Sequence, residues 1–177
     1  PRYDAVWIGR GGYGSCRIAE AVIPQLEAPA RGKLYLGYSD AGSLLAALYR
    51  HGFRAAHGPM PADILRAGGE AAVARALAYL IERDRAALEP HVAAGTKAAA
   101  FNLTILSQLL GTPLEPDLTG HVLMLEEDCE HMYRIDRFFF HITSNPAIRR
   151  VAGIRLGRCS NIPANVPDFA QTEEAVA

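Results

Sequence analysis

An apolar run that stops at glycine and turns at once into a helix leaves a chain few ways to fold. Residues 34–40 read LYLGYSD, and the helix-like stretch 41–50 follows without a linker. A strand that feeds directly into a helix is the repeating unit of an α/β fold with parallel strands. Ser39 then sits on a sharp strand-to-helix turn, the geometry of a nucleophile elbow. Such a turn lifts the hydroxyl out of the sheet. It also places the hydroxyl at a helix N-terminus, where backbone N–H groups and the helix dipole favour a developing negative charge. Gly37 provides room for the turn, whereas Ala41 stands where a full G-x-S-x-G motif has its second glycine. Read in isolation, Ser39 or Asp40 is more simply an N-cap; the rest of the chain favours the elbow.

The flanking segments repeat the strand–helix alternation. Residues 4–9 (DAVWIG) form a short apolar run ending in glycine, which reads as a buried parallel strand. A glycine-rich loop follows over residues 10–15 (RGGYGS), then a helix over 18–26 that Pro24 interrupts near its end. Leu44, Leu45, Leu48 and Tyr49 give helix 41–50 an apolar stripe, and Gly52 stops it. Residues 54–56 read as a short strand leading into His57-Gly58-Pro59-Met60. Residues 70–83 form an amphipathic helix with Val73, Leu77, Leu80 and Ile81 on its buried face.

Residues 85–96 have no clear periodicity and contain Pro90 and Gly95. The expected organisation is therefore an α/β nucleophile domain over 1–88, a linker over 89–96, and a smaller mixed α/β domain over 97–177. In the second domain, a helix over 103–110 ends at Gly111-Thr112-Pro113. A strand follows over 121–126, all apolar from 122 to 125 and so expected to be buried on both faces. An aromatic-rich helix over 133–142 and a strand over 151–156 follow, and the domain is expected to be incomplete at its end.

Composition narrows the function classes. A net charge of −1 over 177 residues, with scattered arginines, gives no footprint for nucleic acid. No apolar stretch is long enough to span a bilayer. Cys16, Cys129 and Cys159 fit neither a zinc site nor a disulfide framework, so free thiols and a cytoplasmic setting are expected. The six histidines include no H-E-x-x-H pattern, and His131 with Glu130 and Glu126 has poor spacing for a metal.

Two further segments carry candidate chemistry. Gly11, Gly12 and Gly14 follow a strand and precede a helix; they suit either phosphate or an oxyanion, but the P-loop lysine is missing. In a parallel sheet neighbouring strands end at the same edge, which brings this loop close to Ser39 if the two strands are adjacent. Glu126 ends an apolar strand and opens an acidic run with Glu127, Asp128 and Glu130. By itself that run reads as a solvated turn, but a carboxylate at a buried strand's end is placed to orient an imidazole.

Seven short motifs occur in order: RGGYGS at 10–15, GYSD at 37–40, HGPM at 57–60, NL at 102–103, LGTP at 110–113, LMLEE at 123–127 and YRIDR at 133–137. Together, over nearly the whole chain, they resemble the LD-carboxypeptidases, serine peptidases that remove terminal D-alanine from muropeptide tetrapeptides. The resemblance implies Ser39 as nucleophile and Glu126 as the triad carboxylate. It also implies backbone N–H groups of Gly12 and Asp40 as the oxyanion hole. The family has an α/β domain carrying the elbow and a smaller C-terminal domain carrying the other triad members. It uses no cofactor or metal, acts on a muropeptide in the cytoplasm during peptidoglycan recycling, and is commonly a homodimer.

Arg10, Gly11, His57, Asn102 and Arg134 are the expected substrate-binding residues. Arg10, Arg134 or Arg137 suits a terminal carboxylate, because a guanidinium grips it in a fork. The family's catalytic histidine lies near the C-terminus in a Gly-His-Thr-Pro-like motif, and no histidine follows His141. The expected base therefore lies outside this chain, which reads as a piece lacking both ends of the family's length. Residues 97–102 (KAAAFN) stand where many family members have Gly-Gly-Asn. Two other readings are a self-immunity peptidase acting on a peptidyl-nucleotide antibiotic and a non-catalytic peptide-binding relative. A binder has no use for a strained elbow serine.

Overall fold

The computed structural model describes residues 3–166. It divides the chain into two units: Pro1–Thr96 with Pro113–Pro116, and Lys97–Thr112 with Asp117–Ala177. Among the described residues, each is an α/β unit built on a three-stranded, wholly parallel sheet.

The first unit runs β1 (Ala5–Trp7), α1 (Ser15–Val22), α2 (Ala28–Arg31), β2 (Leu34–Gly37), α3 (Ala41–Arg50), β3 (Arg54–His57), α4 (Gly69–Leu77) and the one-turn α5 (Pro90–Ala93). The sheet order is β1-β2-β3, so β2 is central and all four of its residues are buried. The register pairs Trp7 with Leu36 and Gly37 with His57. The glycine loop, Ser39 and His57 consequently emerge at one edge of the sheet. Leu45, Ala46, Ala47 and Leu48 of α3 supply the core beside Leu34 and Leu36. Small residues let that helix approach the sheet closely, and burial of the leucines stabilises the pair by about 2 kcal/mol each.

Several expectations change here. The first strand is shorter than residues 4–9 and, among the described residues, pairs on one side only, so Val6 stays 40% exposed rather than buried. Pro24 lies in a tight turn after α1 instead of inside it, because its ring cannot continue the helix. Tyr49 points outward from α3. The helix expected over 70–83 is regular only to Leu77 and then widens into a π-type turn over Ala78–Glu82. That turn breaks the 3.6-residue period. Val73 and Ala76 carry the buried face, while Leu77 and Ile81 are exposed.

The second unit runs β4 (Ala98–Asn102), α6 (Leu103–Leu109), β5 (Val122–Asp128), α7 (Met132–Ser144) and β6 (Gly153–Ser160), with β5 central. Strand β4 was not legible in the sequence, because three alanines carry no strand propensity. Strand β5 alternates: Leu123, Leu125 and Glu127 face the core, and Val122, Met124 and Glu126 are half-buried. The expectation that both faces are fully buried therefore fails. The acidic run begins as the last three residues of this strand, Glu126 to Asp128, rather than as a solvated turn. Residues 172–176, which read as helical, lie outside the described residues.

Candidate active site

Ser39 has φ +57°, a left-handed conformation that an L-residue adopts only under constraint. The constraint comes from both sides of the turn. A Cβ on Gly37 would come 3.1 Å from the Ile8 side chain and 3.4 Å from Ala41 Cβ, so only glycine lets β2 end this close to its neighbours. A Cβ on Gly11 would come 3.0 Å from Ser39 Oγ and 3.1 Å from Ser39 Cβ. The glycine loop is thus laid directly against the serine hydroxyl, as the shared sheet edge requires.

Asp40 does not cap the helix it precedes. Its carboxylate crosses to α1 instead, accepting from the Gly14 amide at 3.1 Å and the Ser15 amide at 3.0 Å. The Ser15 hydroxyl in turn donates to the Asp40 carbonyl. A carboxylate at a helix N-terminus satisfies orphan donors and complements the dipole. The phosphate-binding reading of the glycine loop fails for this reason: the protein's own carboxylate takes the first amides of α1. Among the described residues, neither the Gly12 nor the Asp40 amide has a hydrogen-bond acceptor.

The other first-unit candidates gather around this turn. The Arg10 guanidinium folds back on its own loop, donating to the Gly11 carbonyl at 3.2 Å. His57 ends β3 opposite Gly37, and its ring meets Tyr38 edge-on at 5.9 Å. Asp63 was missed. Its buried carboxylate accepts from Tyr38 Oη and from the Met60 amide, each at 2.8 Å, and pairs with Arg66 at 3.3 Å. Tyr38, the residue before Ser39, is thereby tied to the turn after β3. The only sequence signal was an acidic residue three positions into the turn that opens at Met60-Pro61.

In the second unit Asn102 and Glu126 are register partners on β4 and β5. The Asn102 oxygen caps α6 by accepting from the Ile105 amide at 3.2 Å, and its Nδ2 donates to Glu127 at 2.6 Å. Asn102 also hydrogen-bonds Glu126. Burial first, and then the adjoining Glu127, push the Glu126 carboxyl up to about 7. A bulge on β6 sits opposite it, where the register shifts between Leu125 and Glu127 and Gly157 packs 3.7 Å from Glu126 Cβ by its would-be methyl. Arg134 is held by Glu130 at 3.3 Å and lies over Phe138; Arg137 lies over Tyr133. His141 meets Ser107 at 3.0 Å. Among the described residues, no group of three His, Cys, Asp or Glu side chains is arranged to hold a metal ion, and no helix is long and apolar enough to cross a membrane.

Two predictions arise from these contacts. Gly11→Ala sets a methyl against the Ser39 hydroxyl. We expect turnover or serine labelling to fall at least tenfold while the melting temperature moves by only a few degrees. Unchanged labelling would refute the close approach. Glu126 has a folded value raised above the ordinary 4.5. Its contribution to stability is therefore fully present below about pH 4.5 and is lost as pH rises through about 7. Glu126→Gln flattens that dependence, leaving the variant more stable than wild type at pH 8 by about 2 to 3 kcal/mol. Parallel stability–pH curves for the two proteins would contradict the assignment.

A strand ending in a left-handed serine, faced by a glycine loop on the same parallel sheet, puts the first unit in the nucleophile-elbow class of α/β proteins. Residues 1–58 match the LD-carboxypeptidase N-terminal domain and residues 97–177 the LD-carboxypeptidase C-terminal domain. The chain belongs to the LD-carboxypeptidase family. A Synechocystis sp. protein with a provisional carboxypeptidase name is 33% identical over 98% of this chain and 58% of its own. The murein tetrapeptide carboxypeptidase of Pseudomonas aeruginosa is 28% identical over 92% of this chain and 58% of its own. The crystal structure of a muramoyltetrapeptide carboxypeptidase from Oxalobacter formigenes aligns with a TM-score of 0.78 at 25% identity, covering 99% of this chain and 63% of that one. A structure of MccF in complex with glutamyl sulfamoyl guanosine shares the fold, with a TM-score of 0.71 at 16% identity over 96% of this chain and 60% of that one. The chain spans 50% to 58% of the length of the curated relatives it matches.

Proposed function

We propose that the protein carrying this chain is a serine carboxypeptidase that hydrolyses the L-to-D peptide bond before the terminal D-alanine of muropeptide tetrapeptides. The observation that carries the reading is the Ser39 turn: a left-handed serine, its hydroxyl against a glycine loop, beside two amides that have no acceptor among the described residues. In this mechanism Ser39 Oγ attacks the scissile carbonyl. A histidine supplied from outside this chain takes the hydroxyl proton and returns it to the departing D-alanine amine. The acyl-enzyme ester is then hydrolysed by water, which regenerates Ser39. The amides of Gly12 and Asp40 hold the oxyanion.

Glu126 orients the histidine, and an imidazolium beside it would bring its carboxyl back down. Asn102 supports Glu126 rather than the substrate, since both ends of its amide are engaged by the protein. Arg10 is our assignment for the substrate's terminal carboxylate. Arg134 is the weaker candidate, being already paired with Glu130. Gly11 and His57 shape the wall beside the serine.

The test is D-alanine release from a disaccharide tetrapeptide by protein from the full reading frame, beside Ser39→Ala. Release that disappears in the variant supports the reading. No release from the wild type, with cleavage of a peptidyl-nucleotide instead, would move the activity to the immunity-peptidase alternative that the shared fold also accommodates. Binding of tetrapeptide without cleavage of either would make the protein a non-catalytic relative.

A further inference from the structure

The Asp40 side chain sits between the two segments that carry the oxyanion amides. Its backbone N–H is one donor; the other, Gly12, lies two residues before the first amide that its carboxylate grips. The fork at 3.1 and 3.0 Å to the Gly14 and Ser15 amides, closed by the Ser15 hydroxyl on the Asp40 carbonyl, makes three hydrogen bonds between residues 26 and 25 positions apart in sequence. We propose that the Asp40 carboxylate is a positioning residue that sets the spacing between the Gly12 and Asp40 amides; this rests on the hydrolase reading above.

Three physical points converge on it. An oxyanion hole works only if its donors are fixed before charge develops, because reorganising them during the reaction removes the advantage. Glycine loops are not stiff by themselves: Gly12 and Gly14 have φ of +147° and +108° and no side chains to lock them. Something outside the loop has to fix it, and Asp40 is the side chain that reaches across. Charge adds a second requirement. A carboxylate next to the nucleophile would repel the forming oxyanion if it faced the reacting carbonyl. Turned into the N-terminus of α1, its charge is balanced by two N–H groups and the helix dipole. The side chain thus braces the site without opposing it. Gly11, pressed against Ser39 Oγ, shows that the braced loop and the nucleophile are already at contact distance.

The experiment compares Asp40→Asn, Ser15→Ala and Ser39→Ala in the full-length protein. Serines competent for reaction are counted by fluorophosphonate titration, and D-alanine release is measured per titrated site. Asparagine keeps the shape of Asp40 but turns one acceptor into a donor facing an amide. We expect kcat per titrated site to fall roughly 10- to 100-fold with KM changed by no more than about threefold. Affinity for a peptide boronic acid, which forms the tetrahedral adduct, should fall in step with kcat, while affinity for uncleaved peptide holds. A role confined to folding would lower the titrated fraction and leave kcat per site and boronate affinity unchanged, and that result overturns the proposal. If Asp40→Asn does not fold, Ser15→Ala decides: a several-fold drop in kcat per site supports it, and an unchanged kcat refutes it. Ser39→Ala keeps the two ideas apart. Release persisting in that variant refutes the Ser39 mechanism and this proposal with it, whereas full turnover in Asp40→Asn beside an inactive Ser39→Ala refutes the positioning role alone.

Discussion

Replacing Ser39 by alanine or by glycine should abolish turnover equally, and yet only glycine should raise stability. In the proposed mechanism either change removes the nucleophile and with it the acyl-enzyme route, and a decrease of about 10⁴- to 10⁶-fold in kcat is expected. Alanine at this position inherits φ +57° and the same crowding, so its stability should stay within about 0.5 kcal/mol of wild type. Glycine adopts positive φ without a Cβ clash and should relieve about 1 kcal/mol of backbone strain. Activity measurements and thermal melts of both variants test this pairing. A glycine variant no more stable than the alanine variant would show that the turn is not strained, and residual wild-type turnover in either would remove Ser39 from the mechanism.

Glu127→Ala is expected to be the more damaging change to the fold. Glu127 is 4% exposed. Its carboxylate accepts from Asn102 Nδ2 at 2.6 Å, Thr104 Oγ1 at 2.7 Å, the Thr104 amide at 2.9 Å and the Asp128 amide at 3.0 Å. Alanine strands all four donors in a buried site, at a cost of about 3 to 5 kcal/mol. The loss should be visible as a lower denaturation midpoint and as faster amide exchange at Thr104, whose N–H donates to this carboxylate. The adjacent Glu126→Gln, by contrast, should stabilise at pH 8. If the two substitutions behave alike, the division of labour between the neighbouring carboxylates is wrong. In the proposed mechanism that division matters. Glu127 fixes Asn102 and the start of α6, and so leaves Glu126 on the other face of the strand to orient the base.

The sequence by itself determined the alternation of strand and helix, the parallel sheet of the first unit and the elbow at Ser39. Those features are local. A strand, a glycine, a serine and a helix occupy consecutive positions, and steric rules on adjacent residues fix how such a run can turn. Helical periodicity located α3 and α7 for the same reason. Periodicity misled at Leu77 and Ile81, where a wider turn shifts the helix face, and gave no sign of β4, whose alanines are placed by pairing with β5.

The tertiary structure alone decided which of two neighbouring carboxylates is a buried brace and which is half-buried with a raised pKa. One residue of strand alternation separates Glu126 from Glu127, and the direction of that alternation depends on which face of β5 packs on the core. The tertiary structure also assigned Asp40 to the N-terminus of α1 instead of its own helix, and Asp63 to Tyr38. Each of these contacts joins residues about 25 positions apart. A hydrogen bond between side chain and distant backbone has no signature in a single sequence, because its partners become neighbours only after the strands have paired.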